Sequence, residues 1–180
     1  PSYYPLHQLR WFARTMKHPA WRQILASSRA IVFGTLPKGF APDWVLFHPK
    51  RGFEGDPAGG PLWQGSYDAI RVYLWAGLMD AGDPNTRPLL DKLAPMAQFI
   101  AREGHPPERI QAFSGAASGP GPGGFSAAVL PMLIARAEAE AIKHGCVGAW
   151  LDTFSFQARP FYEKLGYRLC GTIDGFPPGH

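Results

Sequence analysis

The sequence predicts a mainly α-helical chain that closes with a small α/β segment. Apolar residues recur at helical spacing in successive blocks between residues 5 and 144, the pattern of helices that face a core. From residue 147 the pattern changes to strand, helix and strand in order. The connections are rich in turn formers: 21 glycines and 19 prolines stand among 180 residues, well above ordinary usage of roughly 12%. Aliphatic and aromatic residues are plentiful, so this richness predicts turns and long loops rather than disorder.

Residues 5–17 place Leu6, Leu9, Phe12 and Ala13 on one face, with Pro5 suited to a first turn. Residues 20–33 predict a second helix carrying Trp21, Ile24, Leu25 and Ile31, with Gly34 as its stop. Residues 35–65 read as a long loop, with a short strand at Trp44–Phe47, and long loops in compact domains are often functional. Ser66 is expected to cap a helix over 67–80 that is apolar almost all round, and therefore buried. Residues 86–103 predict one further helix with Leu89, Leu90, Leu93, Met96 and Phe99 on its stripe, ended by Gly104 and Pro106–Pro107. The run 114–124 is too rich in Gly and Pro for regular structure, and helix follows over 125–144, interrupted by Pro131 and closed by Gly145. Strand over 147–154, helix over 157–165 and strand over 167–173 complete the reading.

Charge and composition narrow the function classes. The net charge is +4, and residues 1–42 carry six basic residues and no acid. Arg10, Arg14, Lys17, Arg22, Arg29 and Lys38 are spread out, which fits a solvated helix face and not a nucleic-acid stripe. No apolar run approaches the roughly 18 residues of a membrane span. No opening stretch reads as a signal peptide, and a chain that starts at Pro1 fits a fragment or a processed product. Cys146 and Cys170 match no zinc spacing, and two buried thiols are expected in preference to a disulfide. The six histidines show no metal spacing, and no metal is expected.

Asp68 is the acid that most needs an explanation. A carboxylate at the start of a buried helix is costly unless paired or hydrogen-bonded. The helix N-terminus and Arg71, three residues on, can support it. That arrangement serves either as an internal ion pair or as a functional carboxylate. Five of the six tryptophans precede residue 76, and aromatic faces suit the apolar faces of sugar rings as well as they suit a core. Trp44 and Trp63, in the loop, are the better candidates for exposure. The Gly-rich run before 125 is a poor phosphate cradle, because Pro120 and Pro122 lack N–H donors.

The string Gly65-Ser66-Tyr67-Asp68-Ala69-Ile70-Arg71-Val72-Tyr73-Leu74-Trp75-Ala76-Gly77 closely resembles the signature segment of family 8 glycoside hydrolases. Similar agreement holds for Pro1-Ser2-Tyr3-Tyr4-Pro5, Pro37 through Trp44, Ala94-Pro95-Met96-Ala97 and Gly123 through Ala128. The resemblance is greatest to the periplasmic endoglucanases that accompany bacterial cellulose synthesis, and it runs through about residue 133. It implies a partial (α/α)6 barrel of helix hairpins over 1–133 and cleavage of β-1,4-glucans, cellulose or its oligosaccharides, with inversion of configuration. By position Asp68 resembles the general base, with Tyr67, Arg71, Trp44, Trp63 and Tyr3 as substrate-binding residues. No cofactor is implied, and the location implied is periplasmic or secreted. The family's general acid is a Glu in its amino-terminal half, so a complementing amino-terminal half of the barrel is an implied partner. Glu54, in the Trp-bearing loop, is a poor substitute, since nothing in the sequence raises its pKa.

Residues 134–180 carry a second resemblance. Ala137 through Cys146, Gly148 through Ala158 and Phe161 through Tyr167 resemble the end of a GNAT-type N-acetyltransferase. This implies acetyl-CoA as a cofactor and Tyr162 as the proton donor to the departing thiolate. The family's pyrophosphate loop is not intact here, and its acceptor-binding strands are missing. The expectation is a glucan hydrolase that is incomplete; the alternatives are an acetyltransferase, and a non-catalytic chimera or weak glucan-binding module.

Overall fold

The computed structural model describes residues 1–153 and 159–174. By contacts the chain divides into two units, Pro1–Gly145 and Cys146–His180. The first unit is mainly helical. Helix α1 (Leu6–Thr15) starts directly after Pro5, and α2 (Ala20–Gly34) follows a short link. The two pack along each other, with Phe12 and Trp21 stacked at 4.6 Å. The solvated face expected for the early basic residues holds for Arg14, Lys17, Arg22 and Lys38. Arg10 departs from it: its guanidinium pairs with the nearly buried Asp83.

The long connection after α2 is more ordered than the sequence reading. Strand β1 (Val45–His48) pairs antiparallel with β2 (Gly52–Gly55), Phe47 opposite Phe53. A 3₁₀ turn at Pro57–Gly59 follows, and then β3 (Gln64–Gly65). Helix α3 (Ile70–Gly77) is shorter than expected, and Ser66 does not cap it. Ser66 instead donates its hydroxyl to the Glu108 carbonyl at 2.7 Å. Only part of α3 is buried: Val72, Tyr73 and Ala76 face the core, whereas Leu78, just beyond the helix, is 43% exposed.

The single helix expected over 86–103 is two, α4 (Thr86–Lys92) and α5 (Ala94–Glu103). Leu93 sits between them, fully buried, and Pro95 opens α5 where a missing N–H is harmless. The Gly/Pro run contains regular structure after all. Strand β4 (Pro107–Gln111) pairs with β3 on one side and with β5 (Ala117–Pro120) on the other, all antiparallel. Here β5 is exposed along its length, so pairing with β4 overrides a composition poor in strand formers. Helix α6 (Gly123–Lys143) runs through Pro131 without a break. Proline removes one helical hydrogen bond, but Val129, Pro131 and Met132 are buried against α3, and that packing holds the helix together.

One core unites these elements. Leu6, Val32, Leu36, Val72, Tyr73, Leu89, Leu93, Met96, Ile110, Val129 and Met132 form a contiguous buried cluster. Each large side chain so buried contributes about 1.5–3 kcal/mol.

In the second unit α7 (Arg159–Lys164) forms. The residues 147–153 and 167–173, expected as strands, are not strand. A strand needs a neighbouring strand to pair with, and neither stretch belongs to a sheet among the described residues. Phe154 and the helix start Gln157–Ala158 lie outside the described residues. Cys146 and Cys170 are free thiols but exposed, not buried, because the described stretches around them contribute no residue to the buried core.

Candidate active site

The site is built at the turn 66–69 that leads into α3. Chain approach is tight there: a Cβ on Gly65 would lie 1.9 Å from the Ala41 carbonyl oxygen, so only glycine fits. The segment beside it is pinned from below, where the Ala41 N–H donates to the hydroxyl of buried Tyr73 at 3.0 Å. Burial pushes the Tyr73 phenol pKa upward, so it stays a neutral partner.

Capping of the turn falls to Asp43. Its Oδ1 accepts the N–H groups of Ser66 (2.9 Å), Asp68 (3.1 Å) and Ala69 (2.7 Å). Its own N–H donates to the Gln64 carbonyl at 2.8 Å. The Asp68 carboxylate is therefore released from the usual work of an acid at a helix start. Its Oδ1 instead accepts from the Tyr3 hydroxyl at 3.1 Å and from Arg71 at 2.5 Å. Both bonds fall on one oxygen, and among the described residues no protein donor reaches Oδ2. The Asp68 side chain is 25% exposed, open to solvent on one side.

Aromatic rings surround this carboxylate. The Arg71 guanidinium lies over the Tyr3 ring, 5.3 Å from its centre, and its pKa is held above the ordinary value chiefly by the hydrogen bond to Asp68. Tyr3 in turn sits 6.0 Å from Trp44, and both rings are exposed. Exposed Tyr67 stands edge-on to Phe125 at 5.0 Å. The turn that carries Tyr3 is anchored by Trp75, whose indole N–H donates to the Ser2 carbonyl at 2.9 Å. Thus Tyr3, Tyr67, Asp68, Arg71 and Trp44 come together. Trp63 is held apart: it is half-buried against the core and meets Phe113 edge-on at 4.7 Å.

Glu54 is unsuited to proton donation. It is paired with the Arg51 guanidinium on the β1–β2 hairpin, and that hydrogen bond lowers its carboxyl pKa, whereas a general acid needs one that is raised. Tyr162 lies on α7 in the second unit, with its ring 5.3 Å from Phe161 and 6.0 Å from Tyr167. No group of three or more His, Cys, Asp or Glu side chains among the described residues could hold a metal ion. No helix among them is long and apolar enough to cross a membrane.

Sequence reasoning missed Asp43. The signal was present, an acid directly after Pro42 at the end of a loop, but its three partners lie more than twenty residues away.

A carboxylate oriented by an arginine and a tyrosine, beside exposed aromatic rings on a helical scaffold, defines a carboxylate-centred site of the kind glycoside-cleaving folds carry. The particular family is also clear: the chain belongs to the glycosyl hydrolases family 8, whose profile matches residues 1–152. It is 42% identical to an endoglucanase of Salmonella typhi over 133 residues, which are 74% of this chain and 35% of that protein. The structure is similar to the endo-1,4-D-glucanase of Vibrio fischeri ES114, with a TM-score of 0.69 and 36% identity over 80% of this chain and 43% of that one. The chain thus spans about a third of the length of the curated endoglucanase. The helices of the first unit form part of an (α/α)6 barrel. A separate likeness covers the tail: 48 residues are 52% identical to the blasticidin-S acetyltransferase of Streptomyces morookaense, 26% of this chain and 35% of that protein.

Proposed function

We propose that this chain carries the base-bearing part of an inverting β-1,4-glucan hydrolase, with Asp68 as the general base. The observation that carries the reading is that Asp43 does the capping, so the Asp68 carboxylate is oriented by Tyr3 and Arg71 with one oxygen left open. Arg71 and Tyr3 hold the Asp68 carboxylate in one orientation, as a base aimed at water must be held. A water hydrogen-bonded to Oδ2 would lose its proton there as it attacks the anomeric carbon from the face opposite the leaving oxygen. The leaving oxygen takes a proton from a second carboxyl group about 6.5–9.5 Å away. That acid would come from the portion of the relatives that this chain does not span. Exposed Tyr3, Trp44 and Tyr67 would hold the sugar rings, and Trp63 would support the wall behind them. Cellulose or its oligosaccharides would be the partner, in a periplasmic or secreted setting.

Acting without that acid, the base-bearing part should cleave a natural glucan about 10²–10⁴-fold more slowly than a complete site. A leaving group that needs no proton bypasses that deficit. The test is hydrolysis of 2,4-dinitrophenyl β-cellotrioside, followed by absorbance and by the anomer first released. Slow turnover giving the α-anomer, reduced about 100-fold or more in Asp68→Asn, is the expected result. Turnover indifferent to Asp68→Asn, or release of the β-anomer, would overturn the reading. The likeness of the tail to an acetyltransferase supports a second reading, in which acetyl-CoA is the cofactor and Tyr162 the proton donor. The division of the chain near residues 133 and 134 belongs to this same proposal, as the join between hydrolase-like and acetyltransferase-like sequence.

A further inference from the structure

We propose that Asp43 is a positioning residue for the Asp68 carboxylate, holding its backbone and its hydroxyl donor at once; the inference rests on Asp68 being the base. One carboxylate oxygen gathers the amides of Ser66, Asp68 and Ala69, which bracket the Asp68 Cα from both sides. The next residue, Trp44, packs its ring against Tyr3, and Tyr3 donates to Asp68 Oδ1. A closed circuit results: Asp43 to the Asp68 amide, Asp68 carboxylate to Tyr3, Tyr3 to Trp44, and Trp44 back to Asp43 through one peptide bond.

The surroundings keep this circuit from drifting. The Ala41 carbonyl lies pressed on Gly65, Tyr73 holds the Ala41 amide, and Asp43 binds the Gln64 carbonyl through its own N–H. Ser66 is tied to the Glu108 carbonyl on β4. With both flanks fixed, loss of the Asp43 oxygen frees one element, the turn that presents Asp68. A simple cap would affect stability alone. A positioning residue affects the rate of the step that needs Asp68 aimed at water, because small misplacements of a reacting group cost rate steeply.

The experiment compares the full chain as wild type, Asp43→Asn and Asp43→Ala. Asparagine keeps an acceptor oxygen at the same reach; alanine removes it. Three readouts are taken: the amide resonances of Ser66, Asp68 and Ala69 together with the Asp68 carboxyl carbon, the Kd for cellohexaose, and kcat on 2,4-dinitrophenyl β-cellotrioside. In Asp43→Ala the three amides and the Asp68 carboxyl should shift together and kcat should fall about 10- to 100-fold, with the Kd within about twofold of wild type. Asp43→Asn should keep kcat within about threefold. Should alanine prevent folding, Asp43→Ser, which withdraws the acceptor by one bond, takes its place with the same expectations. An unmoved Asp68 carboxyl resonance, an unchanged kcat in the alanine or serine variant, or an asparagine variant as slow as alanine would each overturn the proposal. If the wild type itself shows no turnover, or Asp68→Asn leaves it unchanged, the hydrolase reading falls, and the resonances alone still decide whether Asp43 holds Asp68.

Discussion

Asp43 and Asp68 show how two identical side chains near one helix start take different work. Asp43 spends its oxygen on three amides, and Asp68 is left to a tyrosine and an arginine. Which acid does which follows from chain path, since each is close enough in space to reach the turn. Another residue at this scale has a pH consequence. His7 lies half-buried against Trp75, ring centres 5.8 Å apart, and burial pushes its imidazole pKa below the ordinary 6.5. The unfolded chain therefore takes up this proton first as the solution is acidified. Above about pH 6.5 the group adds nothing either way; stability is lost as pH falls from there towards the lowered folded value. Urea melts at pH 7 and pH 5 should show a loss of stability that is smaller in His7→Phe than in the wild type.

At the scale of elements, the contact between α3 and α6 organises the first unit. A Cβ on Gly77 would lie 2.1 Å from the Met132 nitrogen and 2.4 Å from the Pro131 carbonyl carbon. Those are backbone atoms, so no side chain can swing away. The two helices must part if anything larger than hydrogen is placed there. Gly77→Ala gains helix propensity of roughly 1 kcal/mol, but overpacking in a core costs about 1–3 kcal/mol, and a clash with backbone belongs at the upper end. The net expectation is a lowered midpoint in thermal denaturation. An unchanged or raised midpoint would mean that the helices separate freely. The same contact explains why Pro131 is tolerated in mid-helix: it lies in the buried seam, where packing and not hydrogen bonding carries the stability.

At the scale of the molecule, the two units differ in how they are built. The first has the contiguous core, and every member of that core lies between Leu6 and Met132. In the second, α7 is short and the flanking described stretches are not strand. An acetyltransferase site needs its closing strands paired to position the acetyl thioester. Accordingly, acetyl-CoA at saturating concentration should leave the melting temperature of the chain unmoved, and no amine acetylation that depends on Tyr162 should be detected. A rise in melting temperature by mass action, with acetylation lost in Tyr162→Phe, would favour the second reading instead.

Much of this protein was legible from the chain alone. Helical spacing located α1, α2 and α6 to within a few residues, because apolar periodicity is a local property that burial of one face imposes. The motif around Tyr67-Asp68-Arg71 pointed to the family. Tertiary structure decided the rest. The β-strands at 107–111 and 117–120 exist because each supplies the other's backbone partners, a non-local fact that their Gly- and Pro-rich composition conceals. The stretches 147–153 and 167–173 form no strand for the converse reason, that no partner strand lies among the described residues. The break at Leu93 falls where Pro95 can supply no N–H to a continuing helix. The site itself is the strongest case: Tyr3 reaches Asp68 across 65 residues of sequence and Asp43 across 25. Sequence named the carboxylate, and only the folded chain could decide what holds it, because hydrogen bonds are made by proximity in space.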